Sequence, residues 1–157
     1  ICTHNSRRSH LTQIWAQTMA RFYKLNDIYC YSGGTEATAM FPKVAETLQL
    51  QGFKIQSIAE GEKSNPIYAI KSSENEAPII GFSKTFGHFF NPKAEFGAVM
   101  TCSSADANCP FIPNATRISL TYNDPKHSDG TDSQDEVYAA TSLLIATEMK
   151  YVLSNIY

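Results

Sequence analysis

Leu11, Ile14, Trp15, Met19, Phe22 and Leu25 recur at intervals of three and four, which predicts an amphipathic helix over about residues 9–25 with its apolar face toward a sheet. Residues 27–32 are rich in aromatic and β-branched types and stop at Gly33-Gly34, the pattern of a short strand. Pro42 and Gly52 bracket a second helix, with Phe41, Val44 and Leu48 on its buried face. Two strand-like runs, 65–71 and 78–83, flank a polar turn and predict a β-hairpin. An aromatic stretch follows at 87–92; covering apolar surface is its expected role, with walling a site entrance as the alternative. The unbroken apolar run 96–102 suits a parallel strand covered on both faces, and 117–120 suits the last strand. The final helix starts near Ser133, where Ser133 and Glu136 fit a capping box. Val137, Thr141, Ile145, Met149, Val152 and Ile156 form its expected stripe. Strands alternating with helices predict an α/β sandwich.

Composition narrows the class. A chain of 157 residues, 43% hydrophobic and 18% charged, makes one domain with a real core. A net charge of −2 argues against nucleic acid or an anionic membrane surface as partner. No apolar run reaches membrane-spanning length and no signal-peptide pattern appears, so a cytoplasmic location is expected. Four cysteines are too few for a secreted disulfide scaffold and suit a reducing compartment.

The chemistry concentrates in Cys2-Thr3-His4-Asn5-Ser6-Arg7-Arg8-Ser9. A thiolate that attacks a tetrahedral dianion needs compensating positive charge. Arg8 offers a planar fork for oxyanion edges, and the turn and the helix after it offer amides and a dipole. The same field favours the thiolate of Cys2. Ser9 can bond the sulfur, and Asn5 can hold the loop in shape. Cysteine and arginine at this spacing also arise by chance, with the basic residues merely solvated. Arg7 could widen the positive field and His10 could border the site, but both are expected to face solvent.

Three further features bear on that choice. Cys102 ends the apolar strand, and Cys109 follows seven residues later across a polar, flexible segment. The spacing is too wide for a zinc knuckle, which leaves two structural thiols or a pair that moves and oxidises together. Asp124-Pro125 comes just after the last strand, where a carboxylic acid could protonate a leaving oxygen. Cys30 reads as a buried small hydrophobe, and His88 has no metal-ligand spacing to any His or Cys.

The eight-residue loop resembles the signature loop of the low-molecular-weight protein tyrosine phosphatases and, more closely, their thioredoxin-coupled arsenate reductase relatives. The glycine segment 32–39, the 102–110 stretch with its Cys-Pro, and Asp124-Pro125 resemble the same family in the same order. The resemblance implies a single domain over 1–157: a three-layer, four-stranded parallel sheet with helices on both faces. An inserted hairpin falls within about 56–95. Because such a loop follows a buried strand and the chain opens at Ile1, the first strand is expected to lie outside this sequence.

The implied catalytic residues are Cys2, Arg8, Asp124, Cys102 and Cys109. Thr3, His4, Asn5, Ser6, Arg7 and Ser9 serve the oxyanion, and Ser32 and Glu36 support the loop. The implied activity is arsenate reduction by a three-cysteine relay, with a thioredoxin-like reductant as partner and no cofactor or metal. Gln13 stands where relatives that bind a structural potassium carry glutamate, which puts that ion in doubt. The alternatives are a phosphomonoesterase, and an oxyanion-binding redox sensor without turnover. Lys126 and His127 stand where the phosphatases usually carry tyrosines, which weakens an aryl-phosphate reading.

Overall fold

The computed structural model describes residues 1–60, 64–108, 111–112 and 114–156. Helices α1 (Arg8–Phe22), α2 (Pro42–Leu50) and α4 (Gln134–Ser154) carry most of the regular structure. The strands are β1 (Lys54–Ala59), β2 (Ile67–Lys71), β3 (Ile79–Gly81), β4 (Phe96–Met100) and β5 (Ala115–Ser119), with the six-residue helix α3 (Ser103–Asn108) between β4 and β5. Gly52 follows α2 with φ of +99°, a conformation that costs glycine little, so the helix stops where the sequence predicts.

One core joins Leu11 and Ile14 of α1, Val44 and Leu48 of α2, Ile70 and Ile79 of the strands, and Tyr138, Ile145, Met149 and Leu153 of α4. The stripe on α4 is therefore rotated from its expected position. Tyr138, Ser142 and Leu153 are buried, whereas Val152 and Ile156 are 42% and 41% exposed. The rotation lets Trp15 Nε1 donate to Ser142 Oγ at 2.9 Å, satisfying a polar position that apolar periodicity cannot register. The capping box is not formed: Ser133 makes no side-chain cap, and its hydroxyl pairs with Thr131 at 3.0 Å.

Among the described residues the strands form two sheets instead of one four-stranded parallel sheet. β2 and β3 pair antiparallel as the predicted hairpin, and β1 adds beside β2. β4 and β5 pair parallel over five residues. The predicted strand over 27–32 forms no ladder, for a local reason. Gln17 from α1 takes both backbone partners there, its Oε1 accepting from Cys30 N at 2.8 Å and its Nε2 donating to Ile28 O at 3.1 Å. Gln13 Nε2 donates likewise to Cys30 O at 3.2 Å.

Among the described residues, Ile1 and Cys2 bridge the gap between this segment and β4. Cys2 pairs in parallel with Gly34, Cys2 N donates to Gly33 O at 3.2 Å, and Thr101 N donates to Ile1 O at 2.8 Å. The remainder is a mainly apolar groove of about 490 Å³.

Candidate active site

Residues 2–6 wind around a small pocket, and every one of their carbonyls is held from outside. Cys2 O accepts from Thr35 N at 3.1 Å, and Thr3 O from Glu36 N at 2.8 Å and Thr35 Oγ1 at 3.1 Å. His4 O accepts from Thr38 Oγ1 at 3.0 Å and Ser83 Oγ at 3.2 Å. Asn5 O accepts from His10 Nε2 at 2.9 Å, and Ser6 O from Phe41 N at 3.0 Å. With five successive carbonyls turned outward, the intervening amides turn toward the centre, the arrangement that makes an anion nest. Asn5 takes φ of +46°, a strained angle that asparagine tolerates better than most residues. The N-terminus of α1 adds its dipole to the same point, and no side chain caps it.

Close approach of the glycine segment is part of the design. A Cβ on Gly34 would lie 2.6 Å from Thr3 O and 2.8 Å from Asn5 N, and one on Gly33 would lie 2.6 Å from the Cα of Phe86. All these neighbours are backbone and cannot yield as a flexible side chain would.

The pocket is lined by Cys2, Thr3, His4, Ser6, Arg7, Arg8 and Asp124, and holds about 20 Å³, room for little more than a water molecule while Asp124 stays in place. Cys2 is buried, and its sulfur lies 3.0 Å from Ser9 Oγ, which also accepts from Asn5 Nδ2 at 2.8 Å. Ser9 is thus free to turn its own proton toward the sulfur. Arg8 donates to Asp124 Oδ2 at 2.5 Å and to Tyr122 O at 2.9 Å. Asp124 also accepts from Lys126 N at 3.1 Å through Oδ1, starting the 3₁₀ turn Pro125–Ser128. The Asp124 carboxylate and the Arg8 guanidinium therefore meet at the pocket that Cys2 lines.

Cys102 is 2% exposed and shares an apolar cluster with Cys2 and Met100. Its sulfur lies 3.6 Å from Thr3 Oγ1 and accepts from Ala105 N at 3.3 Å, so it caps α3. The segment expected to be a flexible loop thus begins as this short helix. Cys109 lies outside the described residues. Cys30 stands apart from this cluster and is half-buried, less than the sequence suggests; burial still pushes its thiol up to about 11.

Two expectations are overturned. Arg7 does not face solvent: its Nη2 donates to Asp129 Oδ2 at 2.5 Å and its Nε to Tyr138 OH at 2.6 Å, with the guanidinium 4.0 Å over the Phe41 ring. His10 is fully buried, and its bond to Asn5 O explains why. The carbonyl accepts, so Nε2 carries the proton. Burial, with Lys84 nearby, pushes the imidazole down to about 3 and keeps it neutral. Ser32 and Glu36 diverge: Ser32 is buried against His10 at 3.4 Å, while Glu36 stands exposed 3.7 Å from His4 at the rim.

Sequence reasoning missed Thr35, Thr38, Ser83 and Lys84, which grip the loop from distant segments. Their only signal in sequence is a hydroxyl or amide in a polar stretch. His88 packs on Phe82 and Phe89, and among the described residues no group of His, Cys, Asp and Glu could hold a metal. Among those residues no helix is long and apolar enough to cross a membrane.

With Cys2 in an amide nest, Arg8 behind it and Asp124 at the same pocket, the chain is similar to arsenate reductases and to low-molecular-weight phosphatases. No model of a known protein family matches the sequence. Arsenate reductase 2 of Staphylococcus haemolyticus is 29% identical over 145 residues, 89% of this chain and 88% of its own. The arsenate reductase of Archaeoglobus fulgidus superposes with a TM-score of 0.57 at 16% identity, covering 98% of this chain and 96% of that one. A low-molecular-weight phosphotyrosine phosphatase of Vibrio cholerae O395 gives 0.61 at 17% identity, covering 98% and 91%.

Proposed function

We propose that the protein reduces arsenate to arsenite in three thiol steps. The observation that carries this reading is the second thiol: Cys102 lies against Thr3, the neighbour of the nucleophile, in one buried cluster with Cys2. A hydrolytic phosphatase has no use for a thiol there. The likeness to arsenate reductases along most of the chain supports the same choice.

In the first step the Cys2 thiolate attacks arsenic, and an oxygen departs as water with a proton from Asp124. Arg8 and the loop amides hold the oxyanion throughout. Asp124 now lies on Arg8, so the incoming dianion must take its place before the carboxyl can reach the leaving oxygen. In the second step Cys102 attacks the Cys2 sulfur. The electron pair of the S–As bond passes to arsenic, arsenite leaves, and a Cys2–Cys102 disulfide remains. In the third step Cys109 attacks Cys102, frees the Cys2 thiolate and leaves a Cys102–Cys109 disulfide. An external dithiol of the thioredoxin kind supplies the two electrons that reopen it. Release of Cys102 from its cap on Ala105 N requires α3 to shift or unwind.

The second reading is a phosphomonoesterase that uses the same pocket, with water resolving a cysteinyl phosphate; the Vibrio cholerae structure favours it. The test is arsenate-dependent NADPH consumption with thioredoxin and thioredoxin reductase, run beside Cys109→Ser. Repeated turnover by the wild type and arrest of the variant near one turnover support the relay. Absence of NADPH consumption, with equal p-nitrophenyl phosphate hydrolysis by both proteins, overturns it in favour of the phosphatase.

A further inference from the structure

Lys84 is the least expected side chain in the molecule. It is 1% exposed, and among the described residues no ion pair involves it. Its Nζ donates to Ser32 Oγ at 3.4 Å and Phe82 O at 3.2 Å, and sits 4.3 Å from the Phe82 ring centre and 5.6 Å from that of Phe90. These are neutral partners. Burying an ammonium without a counter-charge is costly, and a lysine on the surface would avoid that cost.

What lies beyond Ser32 gives the charge a destination. Because Asn5 O can only accept, His10 carries its proton on Nε2 and leaves Nδ1 bare. Ser32 then donates to Nδ1 while accepting from Lys84. Every donor in the series Lys84, Ser32, His10 points the same way, and the series ends on the carbonyl of the peptide whose amide belongs to Ser6. A cation at the head polarises each bond in turn and makes that amide a stronger donor. The backbone of Lys84 grips the loop as well, its N–H donating to Asn5 Oδ1 at 2.8 Å and its carbonyl accepting from Gly34 N at 2.9 Å.

We propose that Lys84 is a positioning residue of the oxyanion site, its ammonium being the internal counter-charge to a dianion held in the loop. The proposal rests on the loop's being an oxyanion site, as argued above. The groups facing Lys84 are His10 from α1, Ser32 from the 27–33 segment, and the rings of Phe82 and Phe90; His10 alone among them titrates, and it stays neutral. Burial lowers the ammonium to about 8, so its charge changes in a range where a bound anion can be felt. Linkage then runs both ways: the anion holds the proton on Lys84, and the proton holds the anion.

The test uses tungstate, a dianion across pH 7–10, with the Lys84 side chain followed by carbon-13 NMR in the wild-type protein. The Lys84 titration midpoint is expected to rise by about one unit when tungstate binds, with affinity falling about tenfold from pH 7 to pH 10. Lys84→Met is expected to bind about tenfold more weakly at pH 7 and to lose most of that pH dependence. Ser32→Ala, which keeps the charge and cuts the series, should fall between the two. Tungstate binding with an unmoved midpoint overturns the proposal while leaving the oxyanion site intact. Failure of the wild type to bind tungstate at all overturns both. The wild-type titration decides the matter even if Lys84→Met does not fold.

Discussion

His10 and Lys84 are both buried bases, and each makes stability depend on pH in a window of its own. The imidazole falls from 6.5 in the unfolded chain to about 3 in the fold, so the unfolded state binds more protons between those values. Its contribution is complete above pH 6.5 and is lost as pH drops toward 3, by about 3 kcal/mol at pH 4. Urea titrations at pH 7, 5 and 4 should show this acid limb, and His10→Gln should flatten it. An unchanged limb in the variant would assign acid lability to other groups. Lys84 is depressed from 10.5 to about 8, and the unfolded chain again binds the extra proton. The wild type should therefore gain stability from pH 8 to 10.5, a gain absent from Lys84→Met. At Gly34 the constraint is steric: Gly34→Ala should cost oxyanion binding more than helix content, because the new methyl meets Thr3 O and Asn5 N. Tungstate titration and circular dichroism together would separate the two effects.

Among the elements, α4 is tied to the active loop through one triangle: Arg7 donates to Asp129 and Tyr138, and Tyr138 OH donates to Asp129 at 2.6 Å. The Arg7 side chain is 14% exposed, so loss of its partner leaves a charge with little access to water. Asp129→Asn is expected to destabilise the fold by about 2 kcal/mol and to lower kcat through a looser loop, measured by urea unfolding and single-turnover kinetics. Elements of this kind mark where sequence reading succeeds. The loop residues Cys2, Asn5, Arg8 and Ser9 were legible because their spacing along the chain is their spacing in space. β4 and the β2–β3 hairpin were legible from apolar runs bounded by turns. Arg7, His10 and Lys84 were not, since a charged or basic residue in sequence reads as solvent-facing unless its buried partners are known. Those partners lie 2 to 131 positions away. The strand expected over 27–32 failed for a related reason: Gln13 and Gln17, polar in sequence, reach in from α1 and take its backbone groups.

At the scale of the whole molecule, the two ends of the chain's functional stretch meet at one ion pair. The loop after Ile1 supplies Arg8, the turn after β5 supplies Asp124, and 116 residues of fold hold them 2.5 Å apart. The Asp124 side chain is 41% exposed and the Arg8 side chain 13%, so the carboxylate is the partner free to leave. In this arrangement Asp124 competes with the oxyanion for the same guanidinium. Under the proposed mechanism a single residue would serve two opposed purposes, holding Arg8 until the oxyanion arrives and protonating the leaving oxygen afterwards. Removing the charge should separate them. Asp124→Asn is expected to bind tungstate several-fold more tightly than the wild type at pH 7, because no carboxylate contests Arg8. Its first chemical step should slow by about 10²–10⁴, because no acid remains to protonate the departing oxygen. Calorimetric titration with tungstate and a single-turnover assay with arsenate test both. Weaker binding by the variant would mean that Asp124 helps to build the anion site instead of guarding it, and a rate close to wild type would assign the proton to another group.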